Sequence, residues 1–593
     1  MAEFRTMIIT NKGQALIAKM LAGKGNIQFT KISLSETAYT DAQILTLGSI
    51  GGVKQTTAVT KITKTSDAAV QVEGAVTNSD LTKGYYIRTI ALHAKDPDEG
   101  EIVYAACGAS TPGWMPPYNG VSTSGCFLKL VTTVQNASNV TVKIDPAAVA
   151  TIGDIQDLQS QIDDLQAFVG YNDDDIYGVE VDFKNKRFTR LAGAKSLTPG
   201  SDFDNIAPWK RRRCNLADNG TVNAYYNEAG YTEDGSNGQV MVEQPKFWYK
   251  VVPLVLEKRG KVEIKDSDKV TAIFDGDYNI TRKVRYYVSG HPKSGFKVHP
   301  AFIKDGKELD KIYVSAFEAS IYDASAPKYI TDDMLAADTA ADKLSSIAGV
   351  KPVSGNKTNL TRSGARSLAH NRGTGWEQST VQAVTATELL FLIEYASFDT
   401  QSNIGSGNVN RSWLEDGINW SGLTGATSSL GNASGMVAVT VDGQTEGAAK
   451  QTLNMVSYRG EENLWGNIWT WMDGFNNYKT GIYIADHGFK DDSGDAPYEF
   501  ALHASPEGGY VSAFSYDEKY DWLFCAGECK GDSNLPVSDY FWINPTYGWL
   551  VAKLGGGWDV GAIAGGFYWS SNAASSDRDR TIGARLLFAG TGK

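Results

Sequence analysis

The C-terminal part of the chain is dense in glycine and aromatic residues, and this composition constrains the fold more than any other feature. The whole sequence has 61 glycines, 14 tryptophans, 28 tyrosines and 22 phenylalanines among 593 residues. From Val179 onward helical periodicity is scarce, and strand-like runs such as GVEVDF and KIYVSAFEASIY alternate with turn residues. One helix is predicted in TATELLFLIEYAS, where Thr385 and Glu388 would form a capping box. Residues 179–593 are therefore predicted to form a large α+β domain whose loops are held by aromatic side chains.

Charge and hydropathy exclude two classes of partner. The net charge is −12, and lysine and arginine are dispersed apart from the run at 210–213, so the basic patch of a nucleic-acid binder is missing. No apolar run approaches the roughly 20 residues of a membrane-spanning helix. The N-terminus also lacks the pattern of a cleaved secretory leader. We therefore expect no nucleic-acid partner, no membrane insertion and no export by a cleaved leader.

The first 146 residues are predicted to form one helix followed by strands. TNKGQALIAKMLAGKG places Leu16, Ile17 and Met20 on one apolar stripe, and Gly23 would end the helix. Alternating runs such as QFTKISLSE, AAVQVEGAV, GYYIRTIALHA and FLKLVTTV follow. Residues 1–146 are therefore predicted to form a domain with a helix laid on a mostly antiparallel sheet.

A short heptad pattern follows Pro146. Apolar residues recur at alternating steps of three and four in Ile155, Leu158, Ile162, Leu165 and Val169. This period predicts a coiled coil over residues 147–170 through which identical chains associate, as a dimer or a trimer. An ordinary amphipathic helix packed on a neighbour is the alternative, because two heptads barely hold an oligomer together. Residues 171–178 are predicted to be a hinge linker, since the aspartates at 173–175 lack the further ligands of a calcium loop.

The stretch Leu554–Phe588 mixes aromatic, hydroxyl and amide side chains on a glycine-rich frame, and SDYFWINPTYGWL upstream repeats this chemistry. Rigid aromatic anchors among short polar residues are typical of a protein surface that binds a partner. Trp558 and Phe567 are interpreted as scaffold, and burial of further aromatics in the core is the alternative to display. The predicted display surface within 539–580 comprises Tyr540, Trp542, Asn544, Tyr547, Trp549, Asp559, Val560, Tyr568, Trp569, Ser571, Asn572, Ser575, Ser576, Asp577 and Arg578.

The stretch YRGEENLWGNIWTWMDGFN is interpreted as core. Its large aromatic side chains would be buried, and its charged residues would form charge-assisted hydrogen bonds that fix loops rather than catalyse a reaction. The aromatic residues are Tyr458, Trp465, Trp469 and Trp471, and the charged ones are Arg459, Glu461 and Asp473.

No constellation for catalysis or metal binding emerges. The six histidines are scattered, and His291 and His299 are interpreted as surface residues. Cys525 and Cys529 have no histidine nearby, so buried thiols are a better interpretation than a metal site. Aspartates at 486–495 leave a carboxylate pair for glycoside cleavage open. We expect no enzyme activity, no catalytic or metal-binding residues and no cofactor.

The N-terminal motifs carry a family resemblance. TNKGQALIAKMLAGKGNIQFTKISLSE, followed by YIRTIALHA and LVTTVQNASNVTVKID, resembles the N-terminal domain of phage tail-collar fibre proteins. The resemblance covers residues 1–146 and implies that this domain attaches a fibre to the tail baseplate. It also favours a homotrimer over a dimer.

Five landmarks carry a second resemblance: PKFWYK, KIYVSAFEAS, TATELLFLIEYAS, YRGEENLWGNIWTWMDGFN and the terminal GGGWDVGAIAGGF with IGAR. Together they resemble the C-type-lectin fold of formylglycine-generating-enzyme-like domains, and above all the variable proteins of diversity-generating retroelements. The related enzymes have a cysteine where this chain has Leu586 and Leu587, so their activity is not implied.

The two resemblances together imply a receptor-binding tail fibre of a phage or a phage-tail-like particle. It would be assembled in the host cytoplasm, carried in the virion tail, and bound to a protein or glycan receptor through residues 179–593. Two alternatives stay open, a depolymerase that cleaves host surface glycan and a purely structural fibre component.

Overall fold

The computed structural model of the chain describes residues 3–590 except 24–25, 67, 119–124, 135–158, 160, 164, 167, 261, 267–268, 275–277, 333–336, 357–359, 415–419 and 535. The chain divides into two compact units, residues 1–162 and residues 163–593. Within the described residues, no helix is long and apolar enough to cross a membrane.

Strands dominate the structure, with 41% of residues in strands and 13% in helices. The predicted α+β class, with a helix-on-sheet domain and a coiled coil, is therefore wrong, and the chain is mostly β. The physical reason lies in composition: β-branched and aromatic residues fit the pleated surface of a sheet, and the many glycines end helices early. The α-helices described are α1 (Asn11–Leu21), α2 (Asp41–Leu45), α3 (Arg362–His370), α4 (Val381–Tyr395) and α5 (Thr400–Asn403). Short 3₁₀ helices span Ser201–Phe203, Ala207–Trp209, Pro300–Phe302, Ser428–Leu430 and Gly561–Ile563.

The described residues of the first unit form two antiparallel sheets. Its strands are β1 (Glu3–Phe4), β2 (Ile8–Ile9), β3 (Gln28–Ser35), β4 (Val53–Ala58), β5 (Lys61–Ser66), β6 (Ala69–Thr77), β7 (Tyr85–Asp96), β8 (Gly100–Met115) and β9 (Gly125–Thr133). One sheet has the order β1-β8-β7-β3-β4 with β2 beside β8, and the other has the order β5-β6-β9. Leu16 and Met20 of α1 join the core formed by these strands. Helix α1 is capped by Thr10, whose side chain accepts a hydrogen bond from the Gly13 amide.

The second unit is built from short strands. The first group is β10 (Ile176–Asp182), β11 (Arg187–Ala192), β12 (Arg212–Leu216), β13 (Val222–Tyr225), β14 (Gln239–Pro245), β15 (Trp248–Arg259), β16 (Val262–Asp266), β17 (Lys269–Phe274), β18 (Tyr278–Ser289), β19 (Lys297–Val298), β20 (Ile303–Lys304), β21 (Lys307–Glu308), β22 (Lys311–Ser315), β23 (Ser320–Asp323), β24 (Lys328–Ile330) and β25 (Lys343–Ser345). The second group is β26 (Trp376–Gln378), β27 (Gly435–Val441), β28 (Gln451–Tyr458), β29 (Glu461–Glu462), β30 (Trp469–Tyr478), β31 (Gly481–Ile484), β32 (Glu499–His503), β33 (Gly509–Tyr510), β34 (Ala513–Tyr516), β35 (Ala526–Glu528), β36 (Tyr540–Ile543), β37 (Trp549–Leu554), β38 (Trp569–Ala573), β39 (Ile582–Gly583) and β40 (Leu586–Phe588).

Three larger sheets organise this unit. Their orders are β11-β10-β18-β15-β19 with β34 and β35 attached, β13-β12-β14-β22-β40-β26, and β32-β31-β30-β37-β38-β36-β33 with β39 beside β30. Smaller sheets pair β16 with β17, β20 with β21, β23 with β24 and β25, and β28 with β27 and β29. The last of the larger sheets, called the tip sheet below, carries Tyr540, Trp542, Trp549 and Trp569 of the predicted display surface, and Tyr547 and Tyr568 lie in the segments next to its strands.

Helix α4 lies in the centre of the second unit. Every residue from Val381 to Glu394 is buried, and the indole of Trp209 donates a hydrogen bond to the Leu390 carbonyl. Its N-cap is Thr380, whose hydroxyl accepts from the Ala383 amide. The helix therefore begins earlier than the predicted capping box.

The coiled coil expected over residues 147–170 is not evident. Ile155 and Leu158 lie outside the described residues, whereas Ile162, Leu165 and Val169 are helical and exposed. In the second unit the Phe168 carbonyl accepts a hydrogen bond from Arg285 at 2.8 Å, and Asp163 accepts one from Ser294. These contacts attach the end of the helix to its own unit.

The predicted aromatic core is confirmed, because Tyr458, Trp465, Trp469 and Trp471 are all buried. The predicted charge-assisted hydrogen bonds are confirmed as well: Arg459 binds Glu394 at 2.7 Å, Glu461 binds Arg211 at 2.8 Å, and Asp473 binds Arg366 at 2.8 Å. The surface interpretation holds for His291, which is exposed, and is wrong for His299, which is fully buried.

Candidate functional site

The candidate site lies on the tip sheet, where strands β36, β37 and β38 bring the two display stretches together. Phe541 of β36 pairs with Trp569 of β38 in parallel, and Leu554 of β37 pairs with Trp569 on the other side. The chain leaves β37 at Gly555, whose φ of +95° is strained for residues with a Cβ. The glycine-rich frame therefore lets the chain turn sharply between two paired strands.

Strand β36 and the turn after it present aromatic rings outward. Trp542 is 44% exposed and Tyr547 is 62% exposed. Tyr540 is half-buried and stacks on Trp542 with ring centroids 5.7 Å apart. The side-chain oxygen of Asn544 accepts from the Thr546 hydroxyl at 2.8 Å and holds the turn that presents Tyr547. Tyr540, Trp542 and Tyr547 are therefore exposed or half-buried at this end of the sheet.

Four predicted display residues are buried instead, which corrects the prediction for Tyr568, Trp569, Ser571 and Ser575. Each has an internal partner. The Trp569 indole donates to Glu388 at 3.0 Å, and Tyr568 packs edge-on against Trp469 with ring centroids 4.6 Å apart. Ser571 donates to Asn477 and Ser575 to Asp492, both at 2.5 Å. These side chains anchor strand β38 and the loop after it, and they do not face solvent.

The remaining predicted residues reach the surface to different degrees. Asp559, Ser576, Asp577 and Arg578 are exposed, whereas Asn544, Trp549, Val560 and Asn572 are half-buried.

Lys553 is a charged residue of this surface that the sequence did not reveal. Its ammonium lies 5.0 Å from the Trp469 ring centroid, and it interacts electrostatically with Asp559, Asp577 and Asp579. Burial lowers the pKa of Lys553, and the surrounding carboxylates oppose that shift.

A row of aromatic side chains crosses four neighbouring strands of the tip sheet. Phe500 of β32 lies opposite Tyr483 of β31, and Tyr478 of β30 lies opposite Trp549 of β37. The Tyr483 ring contacts both Phe500 and Trp549, with centroids 5.7 and 5.0 Å away. Phe500 is 47% exposed and Tyr478 is 42% exposed. Of this row the sequence predicted only Trp549.

Two buried carboxyl groups support the surface from beneath. Burial raises the pKa values of Glu388 and Asp539 well above their ordinary values. Asp539 accepts a hydrogen bond from the Phe567 amide at 2.7 Å, and a Cβ at Gly565 would overlap its carboxylate. Glycine is therefore required at 565 by close packing.

The described residues contain no group of three or more His, Cys, Asp or Glu side chains placed to hold a metal ion. Cys525 is buried and Cys529 half-buried, and both are free thiols. Burial raises the pKa values of both thiols.

No curated protein matches the chain. Residues 1–153 match a family model described as phage tail-collar fibre protein, N-terminal, which is also the family that the sequence resembled. The match covers the first compact unit but for its last residues. It supports a phage tail fibre protein that is a component of the virion tail.

Proposed function

We propose that this tail fibre protein binds the surface of the host cell through the tip sheet and that it catalyses no reaction. The observation that carries the proposal is the set of large aromatic side chains exposed there, Tyr478, Phe500, Trp542 and Tyr547. Large exposed apolar groups close to one another mark interaction sites on proteins. Tyrosine and tryptophan are also the residues that dominate binding energy at protein interfaces.

The proposed contact surface differs in its membership from the one that the sequence suggested. The surface includes those predicted display residues that are exposed or half-buried. The four buried ones hold the backbone beneath it. Its members are Tyr540, Trp542, Asn544, Tyr547, Trp549, Asp559, Val560, Asn572, Ser576, Asp577 and Arg578, extended by Tyr478, Tyr483 and Phe500.

In this proposal the first unit attaches the fibre to the tail baseplate, and three copies of the chain form the fibre. Several weak sites on one particle then bind a cell far more tightly than one site alone, because later contacts form at high effective concentration.

The resemblance to variable proteins of diversity-generating retroelements stays a prediction. It requires, beside the gene, a near-identical copy of its 3′ end that differs at adenines, together with a reverse transcriptase. If the neighbouring DNA lacks that copy, this part of the proposal is refuted, and the proposed adhesion is not affected.

The double variant Trp542→Ala, Tyr547→Ala tests adhesion. We expect at least a tenfold loss of binding to host cells, measured by flow cytometry with labelled protein, and an unchanged melting temperature, because both side chains are exposed. Trp114→Ala in the first unit is the matched control, since the 54% exposure of that side chain lies between those of Trp542 and Tyr547. Unchanged cell binding by the double variant would contradict the proposal. Reducing ends released from host envelope polysaccharide would contradict the absence of catalysis.

A further inference from the structure

A polar pocket of about 340 Å³ lies in the second unit, between the loop of residues 406–412 and the start of strand β28. Its wall is connected to the loop that carries Asp559 and Val560. The Arg411 amide donates to the Trp558 carbonyl at 2.8 Å, and the Gly561 amide donates to the Val409 carbonyl at 2.8 Å. The pocket therefore adjoins one end of the proposed contact surface.

Arg411 lines this pocket, and its guanidinium has no hydrogen-bond partner in the described part of the chain. The residue is only 5% exposed, and its Nε, Nη1 and Nη2 atoms form no hydrogen bond to any described residue. A guanidinium carries five N–H donors in a rigid fork that matches a carboxylate or a phosphate. A buried charge without a partner is strongly unfavourable, so a folded protein rarely keeps one unless a ligand supplies the counter-charge.

The other lining residues favour an anion that also carries hydroxyl groups. Among the residues that the structure describes, no Asp or Glu lines the pocket, and Arg411 is the only charged residue in its lining. The walls are rich in amides and hydroxyls, and the Asn410, Gln451 and Thr452 side chains form no hydrogen bond to described residues. These groups are able to donate to and accept from the hydroxyls of a ligand.

The pocket wall is fixed before any ligand enters. Gln444 is buried and forms two hydrogen bonds with the backbone of Ser412. Its side-chain oxygen accepts from the Ser412 amide at 3.1 Å, and its side-chain nitrogen donates to the Ser412 carbonyl at 2.8 Å. Asn408 is buried as well and donates to Asn467 at 2.9 Å. A pre-formed wall lowers the ordering cost of binding.

We propose that this pocket binds an acidic sugar unit, whose oxyanion pairs with the Arg411 guanidinium and whose hydroxyls bond to Asn410, Gln451 and Thr452. For its biological role this inference rests on the proposed adhesion, because it names the chemistry of one receptor component. Carboxylate and phosphate groups both match the guanidinium fork, so the test compares them.

The experiment titrates the full chain with glucuronic acid, glucose 6-phosphate and glucose by calorimetry. We expect at least one of the two acids to bind at least tenfold more tightly than glucose, and the stronger of them identifies the oxyanion. Arg411→Met should abolish that binding, and its melting temperature should equal or exceed that of the parent, because the variant removes an unpaired buried charge. Arg187→Met, which removes an exposed arginine elsewhere in the unit, should bind as the parent does.

Three outcomes would overturn the inference: neither acid binds, glucose binds equally well, or Arg411→Met lowers the melting temperature by several degrees, which would reveal an internal role for the guanidinium. The measurements distinguish failure of the pocket inference from failure of the proposed adhesion. If acids do not bind but host cells still capture the parent protein, the pocket inference fails alone. If the parent protein does not bind host cells at all, the proposed function fails whatever the calorimetry shows.

Discussion

His299 provides a direct test of how burial controls the acid stability of the second unit. The ring is fully buried among aromatic side chains, with the Phe247 ring 5.1 Å and the Tyr249 ring 5.2 Å away. Its Nδ1 accepts a hydrogen bond from the Ala301 amide at 3.2 Å. Burial disfavours the charged imidazolium and lowers the pKa of His299 from 6.5 to about 3.

This shift fixes the sign and the size of the effect. Below pH 6.5 the unfolded chain binds a proton at His299 that the folded chain rejects, so the free energy of unfolding falls as the pH falls toward 3. Relative to pH 8, His299 alone lowers that free energy by about 2 kcal/mol at pH 5 and about 3 kcal/mol at pH 4. The pH dependence from this residue fades above pH 6.5 and is negligible by about pH 8.

The variant His299→Asn removes this titration and keeps an oxygen that can accept from the Ala301 amide. Urea denaturation followed by tryptophan fluorescence reports on the second unit, because every tryptophan except Trp114 lies in residues 163–593. We expect the loss of stability between pH 8 and pH 5 to be about 2 kcal/mol smaller in the variant than in the parent. His291→Asn, at an exposed position, is the control. The same pH dependence in His299→Asn and the parent would refute the reasoning.

Two further variants test buried ionisable groups. Asp473→Asn removes the carboxylate that pairs with Arg366 through two hydrogen bonds and leaves the largely buried guanidinium with Asp491, so the free energy of unfolding in urea should fall by about 2 kcal/mol. Lys519→Gln, which breaks an exposed ion pair, should cost less than about 1 kcal/mol, and equal losses in both would contradict this account. Burial raises the pKa of Glu388 well above its ordinary value of 4.5, so the folded chain keeps a proton that the unfolded chain releases, and stability declines as the pH rises above 4.5. Glu388→Gln should show a smaller decline between pH 5 and pH 8 in the same fluorescence assay, and parallel declines would count against it.

The aromatic core was predictable because its signal is local. Trp465, Trp469 and Trp471 lie within seven consecutive residues, and so dense a group of large apolar side chains must be buried somewhere. Charged residues inside such a stretch need partners, and Arg459 and Asp473 have them. The identity of those partners, Glu394 and Arg366, depends on the tertiary fold and was not predictable.

The predicted start of helix α4 was wrong for a related reason. Thr385 and Glu388 have the spacing of a capping box, but the helix is buried around its whole circumference and therefore shows no amphipathic pattern that marks its start. Thr380 supplies the cap, and Glu388 lies inside the helix and accepts a hydrogen bond from Trp569. A contact between residues 181 positions apart cannot be read from a four-residue motif.

Strand geometry decides which of the predicted display residues are exposed and which are buried. In β36 the sequence YFWI alternates, with Phe541 and Ile543 buried and Trp542 exposed, so a period of two could have identified the outward ring. Strand β38 is covered on both faces, and therefore composition alone could not distinguish Trp569 from Trp542. The aromatic row was missed because it depends on the register of β30, β31, β32 and β37, which only the folded sheet defines.

The buried polar anchors explain how a surface rich in short polar residues can still bind a partner. Each exposed side chain that becomes fixed on binding costs about 0.5–1.5 kcal/mol of conformational entropy, and a mobile loop adds to that cost. Here the backbone beneath the surface is already fixed, since Trp569, Ser571 and Ser575 are held by Glu388, Asn477 and Asp492. Most of that ordering therefore occurs when the chain folds, and the rings of Trp542 and Tyr547 can change without loss of the framework that supports them.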